Sequence, residues 1–507
     1  MQMHSDKSPG PDGFNPAFYQ HFWHLCGDDI FDAVKTWLDR GFLPTSLNET
    51  NICLIPKCES SNSMKDLRPI ALCNVLYKMV SKLLANRLKV CLDKCISEEQ
   101  SAFVEGCSIL DNALIAIEVI HALKRRTRGL KAKLALKIDI SKAYNKVDWS
   151  FLKGMLVRLG FSDKWVHWMM MCVSSVNYSV LMNFDKVGPI YPGRGLRQGD
   201  PLSPYLFILA TEGLTALIKQ SIARGDIHGV KICRGAPVVS HLLFADDCFL
   251  FCRANIMEAT HLMSLLDTYS ASSGQEINLT KSEVFFSKNL SKAAQEDLSG
   301  IMGVKHVMGT GTYLGLPSMV GRSKKATFGY IKDKIWKKIN SWRGRALSKS
   351  GIRWLAWDRL ARPKSEGGLG FRNFQAFNMS MVSKEAWNFV AKPHTLVARI
   401  YKARWKIGDG SKIKIMSEPW LRGEDTLWMQ SPQTQKAVAE NIIKTPLFEE
   451  VKEDQLVWQY ENHGVYTVKF GYRHYIKNKS MNNNYTLEGD WGALWRSRAP
   501  PKTKHLL

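Results

Sequence analysis

A chain of 507 residues with 45% apolar content can bury large cores in more than one domain, which excludes a small disulfide-stapled module or a disordered tail. Its 70 Lys+Arg against 46 Asp+Glu leave a net charge of +24, an excess that favours a polyanionic partner through counterion release. All eleven cysteines lie at or before Cys252 with no C-x-x-C pair, so free thiols in an intracellular protein are expected, and neither a disulfide framework nor a zinc knuckle.

The N-terminus, Met1-Gln-Met-His-Ser-Asp-Lys7, is polar, and no uninterrupted apolar run is long enough for a signal peptide or a membrane span, so no membrane partner is expected. Two adjacent acids in Leu25-Cys-Gly-Asp-Asp-Ile30 have no strand before them and read as a helix start. The basic run Lys124-Arg-Arg-Thr-Arg128 suits nucleic acid or solvent, with nuclear import as an alternative. From Lys131 to Ile140 the chain alternates: Leu134, Leu136, Ile138 and Ile140 share one face, Lys137 and Asp139 the other. This predicts a strand with Asp139 near its C-terminal end and Ser141 capping a helix from Lys142.

Next comes Tyr191-Pro-Gly-Arg-Gly-Leu-Arg-Gln-Gly-Asp-Pro-Leu-Ser-Pro-Tyr-Leu-Phe207. Gly193, Gly195 and Gly199 permit close backbone approach to a ligand, while Arg194, Arg197 and Gln198 can donate to a phosphate or a base edge. A Gly/Pro turn feeding a buried helix would look similar, but three glycines and three planar donors in seven positions favour a binding loop. Asp200, Pro201 and Ser203 then open a helix. In His241-Leu-Leu-Phe-Ala-Asp-Asp-Cys-Phe-Leu-Phe-Cys252, a carboxylate pair between apolar runs reads as strand, tight turn, strand, with Asp246 and Asp247 at the tip. Neighbouring strands lie about 4.8 Å apart, so Asp139 placed beside this hairpin brings three carboxylates within reach of two divalent ions. Oxygen ligands favour magnesium over zinc. Alone, Asp139 would read as a solvated strand end.

Between Arg322 and Arg353 stand eleven Lys/Arg and one acid, Asp333. Ile331, Ile335, Ile339 and Trp342 recur at helical spacing, with Lys332, Lys334, Lys337 and Lys338 on other faces. A solvated face explains most such runs.

Together these strings resemble the reverse transcriptases of non-LTR, LINE-type retrotransposons, particularly those of plant genomes. The resemblance is carried, in family order, by Lys7-Ser-Pro-Gly-Pro-Asp-Gly-Phe14, Ile55-Pro-Lys57, Asp66-Leu-Arg-Pro-Ile70, Ser101-Ala-Phe103 and Ile138-Asp-Ile-Ser-Lys-Ala-Tyr144. The 193–204 loop, Phe244-Ala-Asp-Asp247, Ser273-Gly-Gln-Glu-Ile-Asn278 and Tyr313-Leu-Gly-Leu-Pro317 complete it.

The resemblance implies an α+β right-hand fold with an antiparallel palm sheet. Fingers would span 1–130, palm 131–320, a basic thumb-like region 321–390 and a mainly helical or irregular C-terminal region 391–507. It implies RNA-directed DNA synthesis with two Mg2+ ions (Mn2+ as a substitute), an RNA template, a DNA primer and deoxynucleoside triphosphates. Asp139, Asp246 and Asp247 match the catalytic carboxylates, and Ile140 the residue lending a carbonyl to one metal. Lys57 and Arg68 match the triphosphate-binding basic residues, Gln198 and Gly199 the loop over the nucleotide, and Tyr144 the aromatic gate against a 2′-hydroxyl. Lys281 matches the lysine proposed to protonate pyrophosphate. Tyr144 also fits a buried helix aromatic, and Lys281 a solvated turn lysine. Arg194, Arg197, Lys334, Lys337 and Lys338 are expected on template–primer, and the resemblance implies that the basic run after Arg322 is a thumb helix along a nucleic-acid backbone.

Departures from the family shape further expectations. The chain begins almost at Lys7, so the N-terminal endonuclease of relatives is expected to be absent. Asn145 replaces a usual aspartate, and Gly106-Cys107-Ser108 a usual arginine. Leu347-Ser-Lys-Ser-Gly351 passes straight into Ile352, which implies a shortened thumb, before Arg362-Pro-Lys-Ser-Glu-Gly-Gly-Leu-Gly-Phe371 resumes the pattern. Val465-Tyr-Thr-Val-Lys-Phe-Gly-Tyr472 resembles the start of a zinc-binding region, yet no cysteine follows Cys252, so no zinc is expected. A group II intron maturase-like splicing factor and a catalytically silent nucleic-acid-binding remnant are the alternatives; a functional copy is expected in the nucleus.

Overall fold

The computed structural model describes residues 3–342 except 58–59, 130, 183–184, 234, 308–310 and 318–322, then 361, 364, 370–404, 461 and 465–481. The Gly351 to Ile352 passage lies outside the described residues. The chain forms two units, Met1–Tyr330 and Ile331–Leu507.

The first unit starts with α1 (Pro16–His21), capped by the Asn15 side chain, and α2 (Trp23–Arg40), ended by Gly41 at φ 67°. Asp28 and Asp29 therefore lie inside α2 and do not begin it. The helix starts at Trp23 because the Phe22 N–H bonds back to Phe18 and carries the chain from α1 directly onward. A hairpin follows, β1 (Glu49–Pro56) with β2 (Leu67–Cys73), then helices α3 (Val75–Lys89), α4 (Leu92–Cys95) and α5 (Ile109–Arg125). Ser108 and Asp111 form a capping box on α5.

The alternating segment becomes β3 (Lys133–Ser141), which starts two residues later and ends one residue later than the alternation read from Lys131 to Ile140. Ser141 is its last residue, and Lys142, at φ 49°, turns the chain into α6 (Ala143–Lys146) in place of the expected serine cap. Next come α7 (Trp149–Arg158), α8 (Asp163–Ser174), β4 (Asn177–Met182), β5 (Asp185–Ile190) and α9 (Ser203–Arg224). The chain continues through β6 (His241–Phe244), β7 (Asp247–Arg253), α10 (Ile256–Ser273), β8 (Glu276–Ile277), β9 (Glu283–Phe286), α11 (Lys292–Met302) and β10 (Lys305–His306). A hairpin of β11 (Thr312–Tyr313) and β12 (Leu316–Pro317) precedes α12 (Lys324–Trp342), which crosses the division between units.

Two sheets organise the first unit. One has the order β2-β1-β4-β5, with β1 and β4 parallel; the other runs β10-β9-β3-β7-β6, with β8 also on β3. The second sheet is antiparallel except for β9 with β10. The strands β4 and β5, which fall within the range expected for the palm, thus extend the sheet of β1 and β2 in the range expected for the fingers. A parallel pairing between residues so far apart leaves no periodic trace in sequence.

The helix α9 explains why both sheets share one body. It is long and apolar enough by length and composition to cross a membrane, yet 67% of its apolar window is buried inside the protein. Leu206, Phe207, Ile208 and Leu209 enter a core with α3, α7 and α8, while Leu214 and Ile218 enter a second core with β3, β7 and α10. A helix apolar on every face is stable only when surrounded, and each buried Leu or Phe is worth about 1.5–3 kcal/mol.

In the second unit, α13 (Phe374–Ala391), α14 (Leu396–Arg404) and α15 (Val468–Met481) are described. The Asn373 N–H donates to the Tyr472 hydroxyl at 2.9 Å, and Phe389 stacks on Tyr401 at 5.2 Å.

Candidate active site

Asp139 on β3 faces Asp247 on β7 directly across an antiparallel ladder that runs from Lys133↔Arg253 to Asp139↔Asp247. The pair Phe244↔Asp247 closes a two-residue turn, Ala245-Asp246, with Ala245 at φ 54°. Asp246 thus projects from the turn beside a pair already facing each other. Loss of surrounding water pushes the Asp246 carboxyl up from the ordinary carboxylate range, and Asp139 adds to it while Arg68 opposes. Asp247 is raised for the same reason, by Asp246 and Asp139 as well, with Lys137 opposing.

The backbone of Asp139 is fixed on its other side too. Between the Ile140↔Ile277 and Lys137↔Glu283 pairs, residues 278–282 loop out. The Asn278 N–H donates to the Asp139 carbonyl at 2.8 Å, and the Asp139 N–H donates to Ser282 Oγ at 3.2 Å. Lys281 rides on this loop with an exposed side chain, its N–H donating to Asn278 Oδ1 at 3.2 Å. Ile140 is buried and paired with Ile277.

Tyr144 on α6 is half-buried, and its ring stacks on Phe207 of α9 at 4.7 Å and 10°. Burial and then the Asp246 charge push the phenol well above its ordinary range, so this hydroxyl stays protonated beside the carboxylates. Gln275, buried under α6, donates to the Ala143 carbonyl at 3.2 Å and accepts from Tyr269 at 2.7 Å.

The 193–200 loop is held by the chain itself. The Leu196 N–H donates to the Tyr144 carbonyl at 2.7 Å, and the Ala71 N–H to the Gln198 carbonyl at 2.9 Å. A Cβ on Gly195 (φ 93°) would meet the Asn145 carbonyl at 2.6 Å, and one on Gly199 (φ 120°) the Ala71 carbonyl at 2.9 Å. The close approach expected toward a ligand is therefore an approach to α6 and β2; Gly193 has open space around it. Asp200 behaves as expected of a helix start, accepting from the Ser203 N–H at 3.1 Å.

Arg197 corrects an expectation. Its exposure is 4%, and its guanidinium lies 4.0 Å over the Tyr77 ring and donates to Asn48 Oδ1, the Tyr77 hydroxyl and the Cys172 carbonyl. With its donors spent inside the core, it ties the loop to the turn just before β1, to α3 and to α8, and is not placed to reach template–primer. The run of donors in sequence carries no mark of which one turns inward.

The other basic residues keep their exposure. Arg194 is exposed near Glu276, whose carboxyl is lowered chiefly by its bond to Lys146 and in part by Arg194. Lys57 is exposed at the end of β1, its Nζ donating to the Lys65 carbonyl at 2.7 Å, and Arg68 is exposed on β2. Lys334, Lys337 and Lys338 are exposed on α12. Ile331 and Ile335 on the same helix are exposed as well, so the apolar stripe read from spacing does not face a core there. Ile339 and Trp342 lie on α12 as well, but their side chains are not among those described. Phe207, Gln275 and Ser282 support the site without having been singled out; only tertiary contact shows them.

Among the described residues, no three His, Cys, Asp or Glu side chains already converge as a metal-holding group. Even so, the donor set fits divalent magnesium: three carboxylates, with Asp246 and Asp247 raised first by burial and then by a neighbouring carboxylate, are a charge cluster that a hard cation relieves. Ten described cysteines are free thiols, as expected.

An antiparallel sheet with aspartates at one end, joined through a core helix to a second sheet, is the α+β right-hand polymerase fold. The chain belongs to the reverse transcriptase (RNA-dependent DNA polymerase) family, which matches residues 55–319. Its relatives include non-LTR retrotransposon proteins. The transposon TX1 149 kDa protein of Xenopus laevis is 31% identical over 280 residues, covering 55% of this chain and 21% of its own length. The Pol polyprotein of retrotransposable element R2DM from Drosophila melanogaster is 26% identical over 264 residues, 52% of this chain and 24% of its own length. The mitochondrial protein AtMg01250 of Arabidopsis thaliana is 49% identical over 67 residues, 13% of this chain and 55% of its own length. The chain spans less than a quarter of the length of the first two relatives.

Proposed function

We propose that this chain is the RNA-directed DNA polymerase of a LINE-type non-LTR retroelement of the plant kind. It adds deoxynucleotides to a primer 3′-end on an RNA template. The observation that carries the reading is Asp139 opposite Asp247 with Asp246 in the adjoining turn. Asp139, Asp246, Asp247 and the Ile140 carbonyl would hold two Mg2+ ions, with Mn2+ as a substitute. When bound, these ions activate the primer 3′-hydroxyl and stabilise the leaving phosphate oxygens. Lys57 and Arg68 bind the triphosphate, a role supported by their exposure on the β1–β2 hairpin and by the pull of Arg68 on Asp246. Gln198 and Gly199 lie over the nucleotide, and Tyr144 bars a 2′-hydroxyl. Lys281 supplies a proton to pyrophosphate, and Arg194, Lys334, Lys337 and Lys338 follow the template–primer backbone.

In this reading fingers, palm, thumb-like and C-terminal parts correspond to 1–130, 131–320, 321–390 and 391–507. The Gly351 to Ile352 passage marks a shortened thumb, and the working copy acts in the nucleus. The plant assignment draws support from the Arabidopsis match.

The test is primer extension by the purified chain on an RNA template with Mg2+, beside an Asp246→Asn, Asp247→Asn double variant. Extension that the double variant loses supports the reading. Salt-sensitive template–primer binding without extension would mark a silent remnant instead.

A further inference from the structure

Gln100 is buried to 1% exposure and belongs to no helix or strand of its own. It bridges in parallel to Leu243 on β6, the outermost strand of its sheet. The Leu243 N–H donates to the Glu99 carbonyl at 2.9 Å, and the Ser101 N–H to the Leu243 carbonyl at 3.1 Å. The carboxamide then reaches beyond the strand. Its Oε1 accepts from the N–H groups of Ala102 (2.9 Å) and Ala245 (3.2 Å), and its Nε2 donates to Thr211 Oγ1 at 3.4 Å.

Ala245 is the first residue of the turn that presents Asp246, held at φ 54°, where L side chains rarely sit. A two-residue turn leaves that N–H outside the ladder, and a buried donor without an acceptor is costly. Gln100 supplies the acceptor from 145 residues away.

We infer that Gln100 is a positioning residue, fixing the Ala245-Asp246 turn and so the placement of the Asp246 carboxylate against Asp139 and Asp247. Its catalytic consequence rests on the polymerase reading; its effect on cation affinity does not. Asn112 is the matched control. It is also buried, and its Nδ2 donates to Leu243 and Ser101 at 2.9 Å each, so it holds the same strand without touching the turn.

The experiment compares Gln100→Leu, Gln100→Glu and Asn112→Leu in the full chain. Mn2+ affinity is read by paramagnetic resonance of the free ion, and kcat and KM by single-nucleotide extension. Gln100→Leu is expected to weaken Mn2+ binding and lower kcat by about 10–100-fold each, with KM for the nucleotide within about twofold. Gln100→Glu, which keeps the acceptor, recovers most of both. Asn112→Leu lowers the melting temperature but leaves Mn2+ affinity unchanged. Gln100→Ser serves the same comparison if Gln100→Leu does not fold.

Unchanged Mn2+ affinity in Gln100→Leu, or an equal loss in Asn112→Leu, overturns the positioning role. A wild-type chain that extends no primer, yet loses Mn2+ affinity only on Gln100 substitution, overturns the polymerase reading and leaves the positioning role standing.

Discussion

Asp139 and Asp247 occupy directly opposed positions of one antiparallel ladder, the last pair before β7 turns back into Asp246. Like charges placed so cost roughly 0.2–1 kcal/mol, a tension that a divalent cation relieves.

Stability without divalent ions is therefore expected to depend on pH in a particular direction. Asp246 and Asp247 hold their protons more tightly folded than unfolded. Their contribution is full below the ordinary carboxylate range and is lost as pH rises through their raised native values. In EDTA, Asp247→Asn is expected to melt higher than wild type at pH 7, with the difference shrinking toward pH 4. Equal melting curves at both pH values would remove the electrostatic account. Mg2+ at about 100 times its Kd should stabilise wild type by about 2.7 kcal/mol and the double Asn variant by far less.

Tyr144 carries a prediction about sugar selection. Its ring is braced by Phe207 at 4.7 Å, so Tyr144→Phe should leave the proposed preference for deoxynucleotides as it is in the wild type. Tyr144→Ala should raise ribonucleotide incorporation relative to deoxynucleotide by about tenfold or more, a size typical of discrimination by pocket shape. If Tyr144→Ala lowers stability and leaves that ratio alone, the ring is only core.

Arg197 is expected to matter for stability and not for nucleic-acid contact. Its partners Asn48, Tyr77 and Cys172 are buried with it, so Arg197→Ala should cost about 1–3 kcal/mol for each buried partner left unsatisfied, read in denaturant unfolding. The salt dependence of template–primer binding, measured on folded protein, should keep its slope. A slope reduced by about 1 would mean that Arg197 touches a phosphate after all.

The α12 lysines make the opposite case. Replacing Lys334, Lys337 and Lys338 by Gln should flatten the plot of log affinity against log salt by about 0.9 for each phosphate no longer neutralised. Thermal stability should change by less than about 0.5 kcal/mol, as for surface substitutions generally. An unchanged slope would return this run to a solvated helix face.

What the sequence by itself determined was local. The alternation from Leu134 to Ile140 specifies a strand and the side on which Asp139 projects, and two apolar runs around Ala245-Asp246 specify a hairpin, because side-chain period and turn chemistry are written in neighbouring residues. Motif order carried the family for the same reason. Which partners these elements would find was decided only in three dimensions. That Asp139 lies opposite Asp247, that β4 pairs with β1 and not with β3, that Arg197 turns into the core while Arg194 stays outside, and that Gln100 reaches Ala245 all rest on pairings between distant segments. Such pairings form because burying the N-terminal half of α9 on every face draws both sheets around it, and no local pattern records which donor or acceptor is then left to be satisfied.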